Sequence, residues 1–244
     1  MIPKIIHYCW FGRGQMPQLV LNCLASWKKC FPEYKMLLWN EDNFDIESYK
    51  YALDAYNEKK YAFVADVCRL HVLKEFGGVY LDTDVEFIKP LPDKFLDDIA
   101  FTGFEDQLVS AGIIGSVKEG EWVSNLLSFY HDKSFYKADG SLDLNPITEM
   151  ITAHLAAEKS VLPNNTYQKI EGYCTIYPSE YFYPKSWKTL KMNITLNTYC
   201  VHHFAGSWIN HDYTLLGKVA NLILGKRTAQ NWSRMYRKIT GKKR

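Results

Sequence analysis

The chain has 244 residues, a formal net charge of +2, 47% hydrophobic and 23% charged residues. These values exclude collagen-like, intrinsically disordered and disulfide-scaffold proteins, and the length favours one large domain. No apolar run reaches the roughly 18 residues that a membrane-spanning helix needs, and the first residues lack a signal-peptide pattern. The six cysteines form no Cys-x-x-Cys pair, which favours free thiols in a reducing compartment. We therefore expect a cytoplasmic protein.

The predicted elements of the first third alternate between strand and helix. Hydrophobic periodicity predicts strands at 5–11, 34–39 and 79–81, and helices at 17–30, 46–59 and 61–76. Gly77 and Gly78 follow the third helix, in the usual position of a helix C-terminal stop. This order is typical of a Rossmann-like, nucleotide-binding open sheet.

Beyond residue 90 the periodicity is weaker. It indicates strands at 99–104, 113–115 and 198–204, and helices at 122–130 and 146–157. No repeat or linker interrupts the sequence before its last segment. We predict a single α/β domain over 1–216, followed by a separate tail over 217–244.

The charge distribution sets that tail apart. Residues 217–244 carry nine Lys and Arg and no acidic residue, so the tail has a charge of +9 and the remaining chain −7. Trp232, Met235, Tyr236 and Ile239 recur at helical spacing, which gives one apolar and one basic face. The pattern predicts a basic amphipathic tail that docks on an anionic membrane surface. A solvated tail, or a helix packed on the domain, is the alternative; the acidic body argues against nucleic acid as a partner.

Two carboxylates follow the third predicted strand. Asp82 and Asp84 are two residues apart, so in an extended backbone both would project to one side and reach the same cation. Carboxylate oxygens suit Mg²⁺ or Mn²⁺, and open α/β sheets bind ligands at the carboxyl ends of their strands. The alternative is a solvated turn.

The block 61–84, with the sequence YAFVADVCRLHVLKEFGGVYLDTD, resembles the central motif of the sugar-binding-region (DXD-motif) glycosyltransferases. This group includes bacterial capsular polysaccharide transferases, fungal initiating mannosyltransferases (family 32) and the catalytic domains of large clostridial toxins. The opening residues 2–12, the Ser26-Trp27 pair and the segment 202–208 are similar to further motifs of the group. The resemblance implies a GT-A fold, a single domain whose mixed central sheet is flanked by helices.

The resemblance also implies roles for individual residues. Trp10 would stack on the nucleotide base, Asp66 would hold sugar or ribose hydroxyls, and Arg69 would contact the donor sugar. The implied donor-binding set is Trp10, Asp66, Arg69, Tyr80, Asp82, Ser207 and Trp208, and the implied catalytic residues are Asp84 and Arg69. The alternatives are core packing for Trp10 and a local ion pair between Asp66 and Arg69 on one helix.

The implied metal ligands are Asp82, Asp84 and a histidine after the last strand. We assign the histidine to His203; His202 would point to the opposite face of an extended segment, so one of the two serves. Two carboxylates and an imidazole favour Mn²⁺, with Mg²⁺ as the other option.

The predicted function is a metal-dependent, retaining glycosyltransferase. It would move a sugar from a nucleotide-diphosphate donor (a UDP-hexose or UDP-N-acetylhexosamine, with GDP-mannose as the other option) to a hydroxyl of a lipid-linked or surface-polysaccharide glycan. The expected location is the inner face of the cytoplasmic membrane. The alternatives are a metal-dependent nucleotide-sugar hydrolase or pyrophosphorylase, and a non-catalytic glycan-binding relic.

Overall fold

A computed structural model describes residues 1–189 and 191–205. Its first half contains β1 (Ile5–Cys9), α1 (Gln18–Cys30), β2 (Lys35–Trp39), α2 (Lys50–Asn57), α3 (Tyr61–Phe76), β3 (Gly78–Leu81) and β4 (Val85–Phe87). The second half contains β5 (Ala100–Glu105), β6 (Leu108–Val109), β7 (Ile113–Ser116), α4 (Glu121–Ser128), α5 (Ile147–Lys159), β8 (Gln168–Ile170), β9 (Cys174–Tyr177), α6 (Ser179–Phe182) and β10 (Cys200–His202).

Most predicted elements are present with ends that differ by one or two residues. The helix expected at 46–59 is instead a short 3-10 turn, Ile46–Ser48, followed by α2, because Tyr49 between them has an extended backbone (φ −130°, ψ 110°). The strand expected at 198–204 is limited to β10. Five elements, β4, β6, β8, β9 and α6, were not predicted; each is two to four residues long, too short for periodicity to register.

The strands form a mixed central sheet in the order β2-β1-β3-β7-β5-β9-β8, with β6 paired to β5. β1 runs parallel to both β2 and β3, whereas β7 runs antiparallel to β3 and β5. A second, two-stranded sheet pairs β10 with β4. The α/β class with a mixed central sheet is therefore confirmed.

Helices cover both faces of this sheet. One buried cluster combines apolar residues of α2 to α5 with the sheet, among them Phe63, Leu70, Trp122, Leu126 and Ile151. A second cluster lies on the opposite face and includes Cys23 and Trp27 of α1 and Phe182 of α6. Because both faces of the sheet are covered, the strands carry apolar side chains on both faces.

The turn from α3 to β3 depends on Gly77. Its φ is +64°, and its N–H donates to Leu73 O at 2.9 Å, as the predicted helix stop requires. His7 of β1 secures the same turn: its Nε2 donates to Gly77 O (2.8 Å) and its Nδ1 accepts from Trp39 Nε1 (3.0 Å). Burial lowers the pKa of His7 to about 4, although the Gly77 carbonyl opposes that shift. His7 is thus a neutral, satisfied core residue.

Within the described residues, no helix has the length and apolar character needed to cross a bilayer. The proposed domain boundary at 216 and the tail over 217–244 lie outside the described residues.

Candidate active site

The turn that carries Asp82 and Asp84 lies between the two sheets. β3 ends at Leu81, and β4 leaves the central sheet at Val85. Helix α1 holds β4 in place, because Trp27 Nε1 donates to Val85 O (2.7 Å) and Ser26 Oγ accepts from Phe87 N–H (3.0 Å). The Ser26-Trp27 pair therefore positions the carboxylate turn from behind.

The pairing of β10 with β4 brings a histidine to this turn. His202 lies opposite Val85 in the antiparallel register, and its Nε2 is 3.0 Å from Asp84 Oδ1. One potential ligand atom from each of Asp82, Asp84 and His202 lies within 4.8 Å of the other two. The sequence predicts that Asp82 and Asp84 project to one side because of an extended backbone. Asp84 is instead in a turn, and it is this turn that brings the two carboxylates together.

The structure places His202, rather than His203, in this cluster. His203 Nε2 instead lies 2.8 Å from Glu86 Oε2. Successive side chains of a strand point to opposite sides, so the register of β10 against β4 decides which histidine faces Asp84. The assignment of the ligand to His203 is corrected accordingly: His202 is the histidine that the geometry offers to a cation.

Asp84 and His202 each shift the pKa of the other. Burial alone would raise the pKa of Asp84, but His202 and the Ala205 N–H, 2.8 Å from Oδ2, outweigh it and the pKa falls to about 2. Burial lowers the pKa of His202, but Asp84 and Glu105 reverse that effect and raise it to about 9. Without a bound cation, the two side chains therefore form an ion pair; a cation held by His202 would replace its proton.

Gly112, the residue before β7, keeps room for a cation. Its carbonyl accepts from Asp82 N–H at 2.8 Å, and a Cβ on it would lie 3.0 Å from Asp82 Oδ2 and 3.6 Å from His202 Cε1. His202 Nδ1 is buried and has no hydrogen-bond partner within the described part of the chain. Two carboxylates and an imidazole in this space fit Mn²⁺ or Mg²⁺.

Arg69 and Asp66 lie on α3 beneath the carboxylates. They are only 5% and 7% exposed, and Arg69 Nη2 is 2.9 Å from Asp66 Oδ1. Arg69 Nη1 lies 3.3 Å from Asp82 Oδ1 and donates to Ala111 O at 2.7 Å. Burial raises the pKa of Asp66 to about 6, although Arg69 opposes it. The pair is thus more than a local contact on one helix, because it connects α3 to the carboxylate turn.

Tyr80 supports the same carboxylate from β3. Its hydroxyl donates to Asp82 Oδ1 at 3.1 Å, and the Arg69 guanidinium lies 4.7 Å from the centre of its ring. Tyr80 and Arg69 therefore both orient Asp82 through its Oδ1. Contact between Tyr80 and a nucleotide-sugar stays a prediction.

Trp10 follows β1 and is half-buried, outside both buried clusters. Its Nε1 donates to Gly14 O at 2.6 Å. Because β1 and β3 are adjacent and parallel, Trp10 and Asp82 lie at the same edge of the sheet. This placement disfavours core packing for Trp10, and base stacking stays a prediction. Ser207 and Trp208 lie outside the described residues.

Two residues that the sequence reasoning missed also line the site: Gly112 and Glu105. Glu105 ends β5; its Oε2 accepts from Ser110 Oγ (3.0 Å) and lies 4.0 Å from His202 Nδ1. Burial raises its pKa, although His202 opposes that shift. The available signal was a single glutamate at the end of the apolar strand 100–105.

Comparison with known proteins gives concordant results. Residues 17–102 match a family model described as a glycosyltransferase sugar-binding region containing a DXD motif. Inositol phosphoceramide mannosyltransferase 3 of Schizosaccharomyces pombe is 34% identical over 88 residues, which are 34% of this chain and 24% of that protein. Mannosyl phosphorylinositol ceramide synthase SUR1 of Saccharomyces cerevisiae is 34% identical over 129 residues, 48% of this chain and 31% of that protein. The matches thus span a third or less of these relatives.

Among solved structures, the PaToxG glycosyltransferase aligns with 64% of this chain and 70% of its own chain, with 18% identity and a TM-score of 0.49. The family match covers α3 and the carboxylate turn, where Asp66, Arg69, Asp82 and Asp84 converge. It confirms the resemblance inferred from 61–84: residues 17–102 of this chain are similar to the sugar-binding region of the DXD-motif glycosyltransferases.

Proposed function

We propose that this protein is a metal-dependent glycosyltransferase that uses a nucleotide-diphosphate sugar as donor. The observation that carries the proposal is the convergence of Asp82, Asp84 and His202 within 4.8 Å at the carboxyl end of β3. The family match over 17–102 supports it. Mn²⁺ or Mg²⁺, held by these three residues, would neutralise the charge that develops on the departing diphosphate.

The proposed reaction breaks the bond between the anomeric carbon and the diphosphate oxygen. A bond forms between that carbon and the acceptor hydroxyl, and a diphosphate oxygen takes the hydroxyl proton. We propose retention of the anomeric configuration, with the acceptor approaching from the leaving-group side. Asp66 and Arg69 would orient the sugar of the nucleotide-sugar. Ser207 and Trp208 would donate hydrogen bonds to the diphosphate.

Donor binding provides the direct test. In the presence of Mn²⁺, a matching nucleotide-sugar at 100 times its Kd should stabilise the protein by about 2.7 kcal/mol, a rise in Tm of roughly 5–10 °C. UDP-hexoses, UDP-N-acetylhexosamines and GDP-mannose form the panel. GDP-mannose is supported by the names of the two relatives, one a mannosyltransferase and the other a mannosyl phosphorylinositol ceramide synthase. Absence of any shift would oppose the proposal, and product analysis with and without acceptor separates transfer from hydrolysis or pyrophosphorylysis.

The two neighbouring histidines give a paired prediction. His202→Ala should weaken Mn²⁺ binding at least ~100-fold, the upper end of the effect seen for residues that only support a ligand. His203→Ala should leave Mn²⁺ affinity unchanged, because its imidazole faces Glu86. Calorimetric titration of the two variants with Mn²⁺ measures both. The opposite ranking would return the ligand role to His203.

Trp10 is expected to contribute through stacking on the base. Trp10→Ala should weaken donor binding by about 1–3 kcal/mol, the range for aromatic–base stacking, which appears as a raised donor KM with little change in kcat. Trp10→Phe should keep most of the affinity. Because Trp10 is only half-buried, the alanine variant should fold. Wild-type kinetics in that folded variant would remove Trp10 from the site.

We propose a lipid-linked or surface-polysaccharide glycan as acceptor, at the inner face of the cytoplasmic membrane. The +9 charge of 217–244 supports attraction to anionic lipids. The names of the Schizosaccharomyces pombe and Saccharomyces cerevisiae relatives contain the word or stem for ceramide, which also supports a lipid-bearing acceptor.

A further inference from the structure

The segment between α6 and β10, residues 185–197, exposes an unusual set of apolar side chains. Met192, Ile194 and Leu196 are 50%, 55% and 94% exposed. Single exposed apolar residues are ordinary, but three within five positions concentrate the apolar surface in one place. Such a patch is typical of a surface that contacts a partner or a membrane.

Hydrogen bonds at the base of this segment, here called the 185–197 loop, connect its two described parts, 185–189 and 191–197. Ser186 N–H donates to Lys191 O at 2.9 Å, and Asn193 N–H donates to Pro184 O at 2.8 Å. These two backbone hydrogen bonds fix the base from which the apolar side chains extend into solvent.

The charge of the loop selects the kind of partner. It contains Lys185, Lys188 and Lys191 and no acidic residue; Lys188 and Lys191 are exposed. Neighbouring Lys89 donates through Nζ to Leu196 O. Glu180 of α6 accepts from Thr195 and Asn197 at the base of the loop, so the exposed Lys188 and Lys191 carry the positive charge beside the apolar side chains. Apolar side chains with exposed lysines nearby match the interface of an anionic bilayer. The tail over 217–244 has the same sign of charge, so it is an unfavourable cover for this surface.

The loop is also joined to the candidate active site. Lys185 Nζ donates to His203 O at 3.1 Å, and the loop runs through Tyr199 into β10, which carries His202. A surface that binds the loop therefore lies close to the cluster of Asp82, Asp84 and His202.

We propose that the 185–197 loop docks this protein on an anionic membrane, with Met192, Ile194 and Leu196 entering the interface and the lysines contacting lipid phosphates. This docking does not require catalysis. That it brings the active site to a lipid-linked acceptor rests on the proposed function.

Co-sedimentation of the full chain with vesicles tests the docking. The vesicles are phosphatidylcholine alone or an equimolar mixture with phosphatidylglycerol, without donor or metal. Leu196→Glu and Ile194→Glu should each lower the partition coefficient on the mixed vesicles by at least about tenfold, through lost apolar insertion and added repulsion. Leu144→Glu is the matched control: Leu144 is 51% exposed and adjoins Asp143, which bonds to Phe135 of the cluster on the other face of the sheet. It should lower the coefficient much less.

The outcomes separate the hypotheses. Tm values equal to that of the unchanged chain would show that the loop variants are folded. Equal partition of the loop variants and Leu144→Glu would overturn the docking role, and the loop would then be a surface for a protein or glycan. Donor-dependent stabilisation with Mn²⁺, measured without vesicles, reports separately on the proposed function, so failure of one leaves the other readable.

Discussion

Asp84→Asn is expected to lower kcat/KM for sugar transfer by at least about 10³-fold. The fold should stay intact, because His202, whose pKa is lowered by burial and raised by Asp84, can lose its proton when the partner charge is removed. Loss of a charged ligand removes several kcal/mol of stabilisation from the developing diphosphate charge, and each 1.36 kcal/mol is tenfold in rate. The amide is of the same size, and its oxygen still accepts the Ala205 N–H that Asp84 Oδ2 binds at 2.8 Å. Asp82→Asn should have a similar effect.

The matched control for these variants is Glu86→Gln, the same chemical change two residues away. Glu86 faces His203 rather than the cluster, so this variant should retain transfer activity. Chelation of the unchanged protein should silence transfer, and Mn²⁺ should restore it. Full activity in the presence of a chelator would contradict metal dependence, and the proposed roles of Asp82, Asp84 and His202 with it.

The second large effect is expected on stability, from Arg69. Arg69→Met should lower the free energy of unfolding by about 3–5 kcal/mol, because removing one member of a buried ion pair leaves an uncompensated charge. Asp66, 7% exposed and 2.9 Å from the guanidinium, would lose its partner, and the Ala111 carbonyl would lose its donor. Denaturant unfolding measures the change.

A double variant makes this prediction specific. Arg69→Met combined with Asp66→Asn should be less destabilised than the sum of the single variants, because the second change removes the stranded charge. Burial raises the pKa of Asp66 to about 6, above its unfolded value, so its ionisation costs stability as the pH rises through that value. The Arg69→Met penalty should therefore be smaller at pH 5 than at pH 8. Strict additivity and a penalty independent of pH would exclude Asp66 as the partner that matters.

Local sequence determined the elements around the site. The apolar run of α3 and its stop at Gly77 depend on residues within one helix and one turn, so the structure confirms both. Asp82 and Asp84 were found for the same reason: they directly follow a strand, and open sheets place ligands at that edge. The alternating order of strands and helices was enough to predict the α/β class.

The tertiary structure decided which side chains meet there. β4 and β10 have three residues each and pair across more than a hundred residues of sequence; a shift of one residue in that register would exchange His202 and His203. Glu105 of β5 and Gly112, just before β7, reach the site in the same way, through strand pairing rather than spacing. Short strands carry almost no periodic signal, and their register follows from long-range pairing and from the packing of α1 against β4. The sequence therefore predicted the carboxylates and the chemistry they favour, whereas the choice of histidine and the space left for a cation depended on contacts that only folding creates.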